Sequence, residues 1–320
     1  MRASSQAQPN IALIKYWGKR DIDNNLPATG SLSITLDSLW TRMTVEFGDG
    51  PGPDSLLVNA VPQPAMLPRV RRCLDDIAGP ARPAARVQSE CNFPIAAGLA
   101  SSASAFAALA MAASKANGRR SDQLTLARAA GRASGSAARS LYEGFVELKA
   151  GHSSIDLKSL ASPEDWPLTV TVAVTETAPK AVGSSAAMAI SRETSPFYAA
   201  WLERQDEDLA IARNAVSERD FAALAAVSEH NCLKMHSVMW SSRPPIVYWN
   251  SATLSVLEAV RRLQRRGEPV FFTIDAGPQV KVVSLPDVAA ELANELQRTS
   301  GVVDVMQSGL GCGARILECG

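Results

Sequence analysis

Apolar and polar positions change period along this chain, and the changes mark its elements. Ile11, Leu13 and Ile14 predict a strand over residues 10–16, closed by a turn at Tyr16-Trp17-Gly18-Lys19-Arg20. After a polar loop over 21–27, strands are expected at 31–36 and 42–47, with a short one at 55–59. Val70, Cys73, Leu74 and Ile77 recur at helical spacing, so 68–78 reads as a helix and 86–91 as a strand. Helices follow at 103–116, at 121–132 with Ser121-Asp122 as its cap, and briefly at 135–141, before a strand at 144–149.

The polar, proline-punctuated segment 151–167, ending near Trp166, is read as a junction. Beyond it come a β-branched strand at 168–175, a loop turning into a helix over 179–192, and helices at 195–218 and 220–235. Pro244-Pro245 stops the chain before a helix at 249–265. Strands at 270–274 and 280–284 flank Asp275-Ala276-Gly277-Pro278, and a helix at 287–298 precedes strands at 302–307 and 314–318. Strands then helices, in two rounds, predict an α+β fold with an N-terminal part over 1–166 and a C-terminal part over 167–320.

Composition narrows the functions available. Acidic and basic residues balance at 32 each, so bulk charge points to neither nucleic acid nor a membrane surface. No apolar run approaches a membrane span, residues 1–8 lack an apolar signal core, and cytoplasmic residence is the expectation. The five cysteines form no Cys-x-x-Cys pair, so no zinc site or disulfide framework is expected. Cys312, between Gly311 and Gly313, reads as a small buried thiol, and His152, His230 and His236 as structural or surface residues without metal-ligand spacing.

Four stretches carry candidate chemistry. In the first, Asn92-Phe93-Pro94 leads through Gly98-Leu99-Ala100 to Ser101-Ser102 and an alanine-rich helix. A glycine beside a helix start, with two hydroxyls, suits a phosphate, although an ordinary N-capped helix produces the same short pattern. In the second, Lys15 and Lys19 flank Tyr16 and Trp17 in a chain with only eight lysines, an arrangement fit for a diphosphate or for a solvated turn. Downstream, Ser134-Gly135-Ser136 precedes Arg139, whose fork matches a carboxylate; a loop and helix cap is the plainer alternative. In the fourth, Asp275 ends the apolar run Phe271-Phe272-Thr273-Ile274, where a carboxylate needs a partner and can serve as a base or as a cap.

Together these stretches resemble the GHMP kinase superfamily. The first matches Pro-x-x-x-Gly-Leu-x-Ser-Ser-Ala, and Ala100 with the Asn-Phe-Pro lead-in is similar to its diphosphomevalonate decarboxylase branch. Asn10 through Lys19, Ser134 through Ser140 and Thr273 through Pro278 follow that branch in order, with smaller matches at Glu193-Thr194-Ser195-Pro196 and at Pro244-Pro245. The resemblance implies a GHMP kinase fold: a ribosomal protein S5 domain 2-like part followed by a ferredoxin-like α/β part. It implies ATP-dependent decarboxylation of mevalonate 5-diphosphate, with ATP and Mg²⁺ as cofactors, no dedicated protein metal site, and a homodimer.

By the same resemblance, Asp275, Lys15, Arg139 and Ser102 are catalytic. Asn10, Tyr16, Lys19, Ser134, Ser136, Arg139 and Met188 would hold substrate. Ser89, Asn92, Gly98, Leu99, Ala100, Ser101 and Ser102 would hold the nucleotide. Two departures stand out: Gln279 replaces a frequent Asn, and Ala28-Thr29-Gly30 precedes Ser31-Leu32-Ser33 where relatives carry Asn with Ser or Asn. The second keeps open a mevalonate 5-phosphate decarboxylase and a mevalonate 3-kinase. A catalytically silent binding protein of this fold would be expected to lack Asp275 or the two serines.

Overall fold

The computed structural model describes residues 1–48, 50, 52–93, 101–178 and 180–317. Strands β1 (Arg2–Ala7) and β2 (Asn10–Ile14) open the chain, and a small hairpin of β3 (Lys19–Asp21) and β4 (Leu26–Pro27) leads to β5 (Ser31–Thr35) and β6 (Thr41–Phe47). Strands β7 (Ser55–Val58) and β8 (Val61–Pro62) precede helix α1 (Leu67–Ala78) and β9 (Ala85–Cys91). Helices α2 (Ser101–Ala116) and α3 (Gln123–Ala133) then lead to β10 (Phe145–Ala150) and β11 (Ile155–Ala161).

The later part begins with β12 (Thr169–Val174) and runs through α4 (Ser184–Thr194), α5 (Tyr198–Glu203), α6 (Gln205–Glu218), α7 (Phe221–Trp240) and α8 (Ser251–Arg265). It ends with β13 (Val270–Ile274), β14 (Val280–Ser284), α9 (Ala289–Gln297), β15 (Asp304–Ser308) and β16 (Arg315–Leu317). The main sheets have the orders β16-β1-β6-β9-β7-β8, β11-β10-β5-β2 and β13-β14-β12-β15. The final strand therefore pairs with the first, completing a sheet of the N-terminal part.

Helix α2 is apolar nearly all round and is buried accordingly. Its alanines and serines let it lie close on β1, where Ser5 Oγ donates to the Ala108 carbonyl at 2.5 Å. The β12–β15 sheet is covered on both faces. One face packs Ala173, Phe272 and Val282 against Val256, Val260 and Leu292 of α8 and α9. The other joins Val172 and Phe271 to Leu209 and Val227 of α6 and α7, and the same cluster contains Ile11 and Ile34 from the first half. Apolar burial, worth roughly 1.5–3 kcal/mol per large side chain, thus fixes the two halves against each other.

Several elements differ from the sequence reading. Strand β1 goes unseen because its inward positions are Ala3, Ser5 and Ala7, too small to give an apolar signal. The segment 151–167, expected to be a polar junction, contains β11, a half-buried edge strand in which Ile155 and Leu157 face inward and Asp156 and Lys158 face out. The single helix expected over 195–218 is two, broken at Arg204, because Asp206, Glu207 and Asp208 favour a fresh helix start. Cys312 is exposed rather than buried. A Cβ on Gly311 would fall 2.1 Å from the Leu36 carbonyl and one on Gly313 2.2 Å from the Leu141 carbonyl, so the backbone presses inward on either side of it.

Candidate active site

Strand β13 is wholly buried and ends at Ile274, and Asp275 is the first residue beyond it. Helix α7 holds this strand end. Its Glu229 accepts from the Phe272 amide at 3.1 Å, and its Cys232 Sγ accepts from the Ile274 amide at 3.1 Å. His236 Nε2 lies 3.2 Å from the Ile274 carbonyl, and burial pushes its pKa down to about 3, so the ring is neutral. The same helix registers the first half: Asn231 Oδ1 accepts from the Lys15 amide at 2.8 Å, while Gln205 Nε2 donates to the Lys15 carbonyl at 2.9 Å.

Lys15 Nζ then bonds Asp275 Oδ1 at 2.8 Å and the Ala12 carbonyl at 2.9 Å. Lys281 Nζ stands 3.3 Å from Asp275 Oδ2. Burial works to raise the Asp275 pKa, but the charges of Lys15 and Lys281 outweigh it and hold the carboxyl well below the usual range. About 25% of the Asp275 side chain remains open, toward a cleft.

Arg139 sits on a 3₁₀ turn (Ala137–Leu141) and is only 2% exposed. Its Nε donates to Asn10 Oδ1 at 3.2 Å and its Nη1 to Ser31 Oγ at 2.8 Å. Asn10 is in turn held by the Ser136 carbonyl at 3.0 Å and Ser140 Oγ at 2.8 Å. Burial lowers the Arg139 pKa to about 10, against the pull of Tyr16 and Asp275, so it keeps its charge at neutral pH. Among the described residues it forms no ion pair. A buried cation lacking a counter-charge is a receptor for an anion.

The Tyr16 hydroxyl is buried with no hydrogen-bond partner among the described residues. Burial raises its pKa to about 12, so it stays a donor. It lies over Gly135, where a Cβ would come within 2.4 Å of Tyr16 Oη; glycine is required for this approach. Because the hydroxyl satisfies no protein group, Tyr16→Phe is expected to leave thermal stability unchanged or slightly higher while raising the substrate KM about tenfold. Thermal melts and initial rates on the same preparation check both; a fall in stability with unchanged KM would remove Tyr16 from the site.

One cleft of about 770 Å³ gathers most of these groups: Asn10, Lys15, Tyr16, Arg139 and Asp275, together with Ser134 and Ser136. Ser101 and Ser102, at the start of α2, line it too, and Ser102 Oγ lies 3.1 Å from Ser134 Oγ. The start of α2 therefore belongs to the same space as the Asp275 carboxyl, and a helix start favours an anion. Lys19 contributes from the rim, donating to Ser185 Oγ at 3.1 Å, and Met188 lines the wall. Gly98, Leu99 and Ala100 fall outside the described residues. Ser89 and Asn92 stand apart from the cleft: Ser89 is buried in β9, and the Asn92 amide is spent on the Trp40 amide at 2.7 Å and the Ser38 carbonyl at 2.8 Å.

Sequence reasoning missed four cations in the lining, Arg69, Arg72, Arg132 and Lys180. Arg69 and Arg72 come from α1, Arg132 from α3 and Lys180 from a loop, and no local motif announces them. Lys180 Nζ reaches Ser184 Oγ at 2.7 Å and the Ala276 carbonyl at 2.9 Å, beside Asp275. With Lys15, Lys19 and Arg139 they make seven cations against one carboxylate, Asp275, among the described lining residues, and of the seven Arg132 also pairs with Asp76 at 2.8 Å outside the lining. Such a balance suits two polyanionic ligands brought together.

Comparison with known proteins agrees with this chemistry. The family model for the diphosphomevalonate decarboxylase-like N-terminal domain matches residues 7–161, and that for the mevalonate 5-diphosphate decarboxylase C-terminal domain matches 170–310. Human diphosphomevalonate decarboxylase is 36% identical over 315 residues, spanning 89% of this chain and 77% of its own length. The chain belongs to the diphosphomevalonate decarboxylase family. Its α+β architecture is the GHMP kinase fold of that family. The mevalonate diphosphate decarboxylase of Staphylococcus aureus superposes with a TM-score of 0.92 at 34% identity, covering 99% of this chain and 98% of that one. The decarboxylase MDDEF, solved in complex with MVAPP, AMPPCP and magnesium, gives 0.92 at 33% identity, covering 100% and 99%. No helix among the described residues is long and apolar enough to cross a membrane.

Proposed function

We propose that this chain catalyses the ATP-dependent decarboxylation of mevalonate 5-diphosphate, giving isopentenyl diphosphate, ADP, phosphate and carbon dioxide. The observation that carries the reading is the meeting, in one cationic cleft, of the Asp275 carboxylate, the start of α2 and the uncompensated Arg139. A relative of this fold has been solved with MVAPP, AMPPCP and magnesium, a substrate and ATP-analogue pair of the kind this cleft suits.

In this reading the nucleotide phosphates rest on Ser101, Ser102 and the start of α2, with Ser102 nearest the terminal phosphoryl group. Tyr16 and Lys19 hold the substrate diphosphate, and Asn10, Ser134 and Ser136 fix its polar groups. Met188 shapes the apolar side, and Arg139 receives the carboxylate. Asp275 orients the tertiary 3-hydroxyl and takes its proton as phosphoryl transfer proceeds. A carboxylate held this far below its usual range is a weak base, so the proton moves late, which the loose transition state of phosphoryl transfer permits.

The new phosphate then departs with the electron pair of the carbon–oxygen bond. The bond to the carboxyl carbon breaks, its electrons form the carbon–carbon double bond, and carbon dioxide leaves. Among the described residues no group of three or more acidic, His or Cys side chains is placed to hold a metal. Hydroxyl oxygens of Ser101 and Ser102 suit Mg²⁺ arriving with the nucleotide, whose charge would be neutralised by it. The cytoplasm as setting and a homodimeric state rest on family resemblance, and sedimentation of the purified chain tests the latter.

The Ala28-Thr29-Gly30 departure lies behind the cleft: Ala28 donates to the Gly18 carbonyl at 3.1 Å, Thr29 is buried, and none of the three lines the cleft. That favours the diphosphate over the monophosphate. Purified protein incubated with ATP and mevalonate, its 5-phosphate or its 5-diphosphate, with ADP and carbon dioxide both measured, decides the matter. Carbon dioxide from the diphosphate alone is expected; ADP without carbon dioxide would select the 3-kinase.

A further inference from the structure

Strand β14 reads Val280-Lys281-Val282-Val283-Ser284, and every residue in it is buried. Lys281 lies inside the sheet, opposite Thr273 of β13 and Val172 of β12, and is 0% exposed. A lysine at such a position is costly unless an anion meets it. Asp275 does so through Oδ2 at 3.3 Å, while Oδ1 is taken by Lys15 at 2.8 Å. The two ammonium groups come from opposite halves of the chain and claim different oxygens of one carboxylate.

Resting on the reaction proposed above, we propose that Lys281 is a positioning residue: it fixes the Asp275 carboxylate plane and keeps that group anionic when substrate enters. Lys15 alone leaves the carboxylate free to turn about its single anchored oxygen; the second ammonium removes that freedom. The charge balance also limits how the site handles a proton. The trio carries one net positive charge at rest, and protonating Asp275 would leave two buried cations side by side. Asp275 therefore holds a proton only transiently, as a base in a late step must.

The other titratable or charged groups facing Asp275 are Lys180, from the loop before α4, Arg139, from the 3₁₀ turn, and Cys232 and His236, from α7. None is a carboxylate, and His236 is neutral, so no nearby anion replaces the effect of Lys281.

Lys281→Met and Lys281→Arg, assayed against the parent for ADP release, test this. For Lys281→Met, the ratio of variant to parent kcat is expected to fall about tenfold between about pH 8 and about pH 5.5, with substrate KM changed less than about threefold. Taking the ratio cancels titration of the ligand phosphates. Lys281→Arg is expected to restore the flat ratio. A ratio for Lys281→Met independent of pH would overturn the proposal, whether or not the rate falls.

A thermal-stability cycle adds a readout that needs no turnover and survives failure of the assigned reaction. Asp275→Asn should lower Tm, and adding Lys281→Met should recover part of that loss; strictly additive Tm shifts would overturn the pairing. Absence of carbon dioxide from the parent enzyme, with the cycle still non-additive, would sink the assigned reaction and not the Lys281–Asp275 coupling. Should Lys281→Met fail to fold, Lys281→Gln enters the same pH series and cycle, under the same criteria.

Discussion

Asp275→Asn is expected to reduce kcat by about 10³- to 10⁴-fold while nucleotide affinity stays within about threefold. The amide keeps the shape of the side chain but cannot accept the hydroxyl proton, and it removes the only carboxylate among the described residues lining the cleft. The change also leaves Lys15 and Lys281, exposed by 1% and 0%, facing each other without a counter-charge. Breaking a buried pair in this way costs roughly 3–5 kcal/mol, here nearer the lower figure because the carboxylate is partly open. Single-turnover ADP formation, nucleotide binding by calorimetry and a thermal melt measure the three effects separately. Turnover unchanged from the parent would remove Asp275 from the mechanism.

The pH dependence has a definite sign. Because the folded-state pKa of Asp275 lies below its unfolded value of 3.8, its contribution to stability is present above that value and is lost as pH falls below it. In the parent enzyme Asp275 thus introduces no acid limb in the neutral or mildly acidic range.

Arg139→Lys is expected to lower kcat/KM for the substrate about 100-fold, chiefly through KM. A charge-assisted contact to a carboxylate is worth about 1.5–3 kcal/mol, and one ammonium cannot reproduce the fork that reaches Asn10 and Ser31 at once. Arg139→Met is expected to do more damage, since it also leaves Asn10 Oδ1 and Ser31 Oγ without this partner in the interior. Carbon dioxide release should fall at least as far as ADP release in both variants. Substrate KM unchanged in Arg139→Lys would show that the carboxylate is held elsewhere.

Much of the site was legible because its residues come in short contiguous runs. Lys15 with Tyr16, Ser134 through Arg139, and Asp275 after its apolar strand each combine a chemical group with a turn that exposes it, and all line one cleft. The rest was hidden for identifiable reasons. Arg69, Arg72 and Arg132 lie on α1 and α3 among solvated charges, and only the packing of those helices against α2 brings them to the cleft. Gln205 and Asn231 act on the Lys15 backbone across 190 and 216 residues, which no local pattern records. Lys281 did leave a trace, a single lysine among the valines of a short strand.

The fold followed the same rule. Amphipathic α1 and the Val-rich β12 were readable, whereas β1 and β11 were not, because small or charged residues fill their inward or outward positions. Pairing with β6 and β10, not their own composition, makes them strands.

Asn231 and Cys232, adjacent residues of helix α7, hold the Lys15 peptide and the last peptide of β13. Lys15 and Asp275 are therefore spaced by a single rigid gauge seated in the interior, not by peripheral loops. Warming the protein should consequently extinguish catalysis in the same cooperative melt that dissolves its centre, with no earlier inactive stage, as parallel activity and ellipticity traces would record.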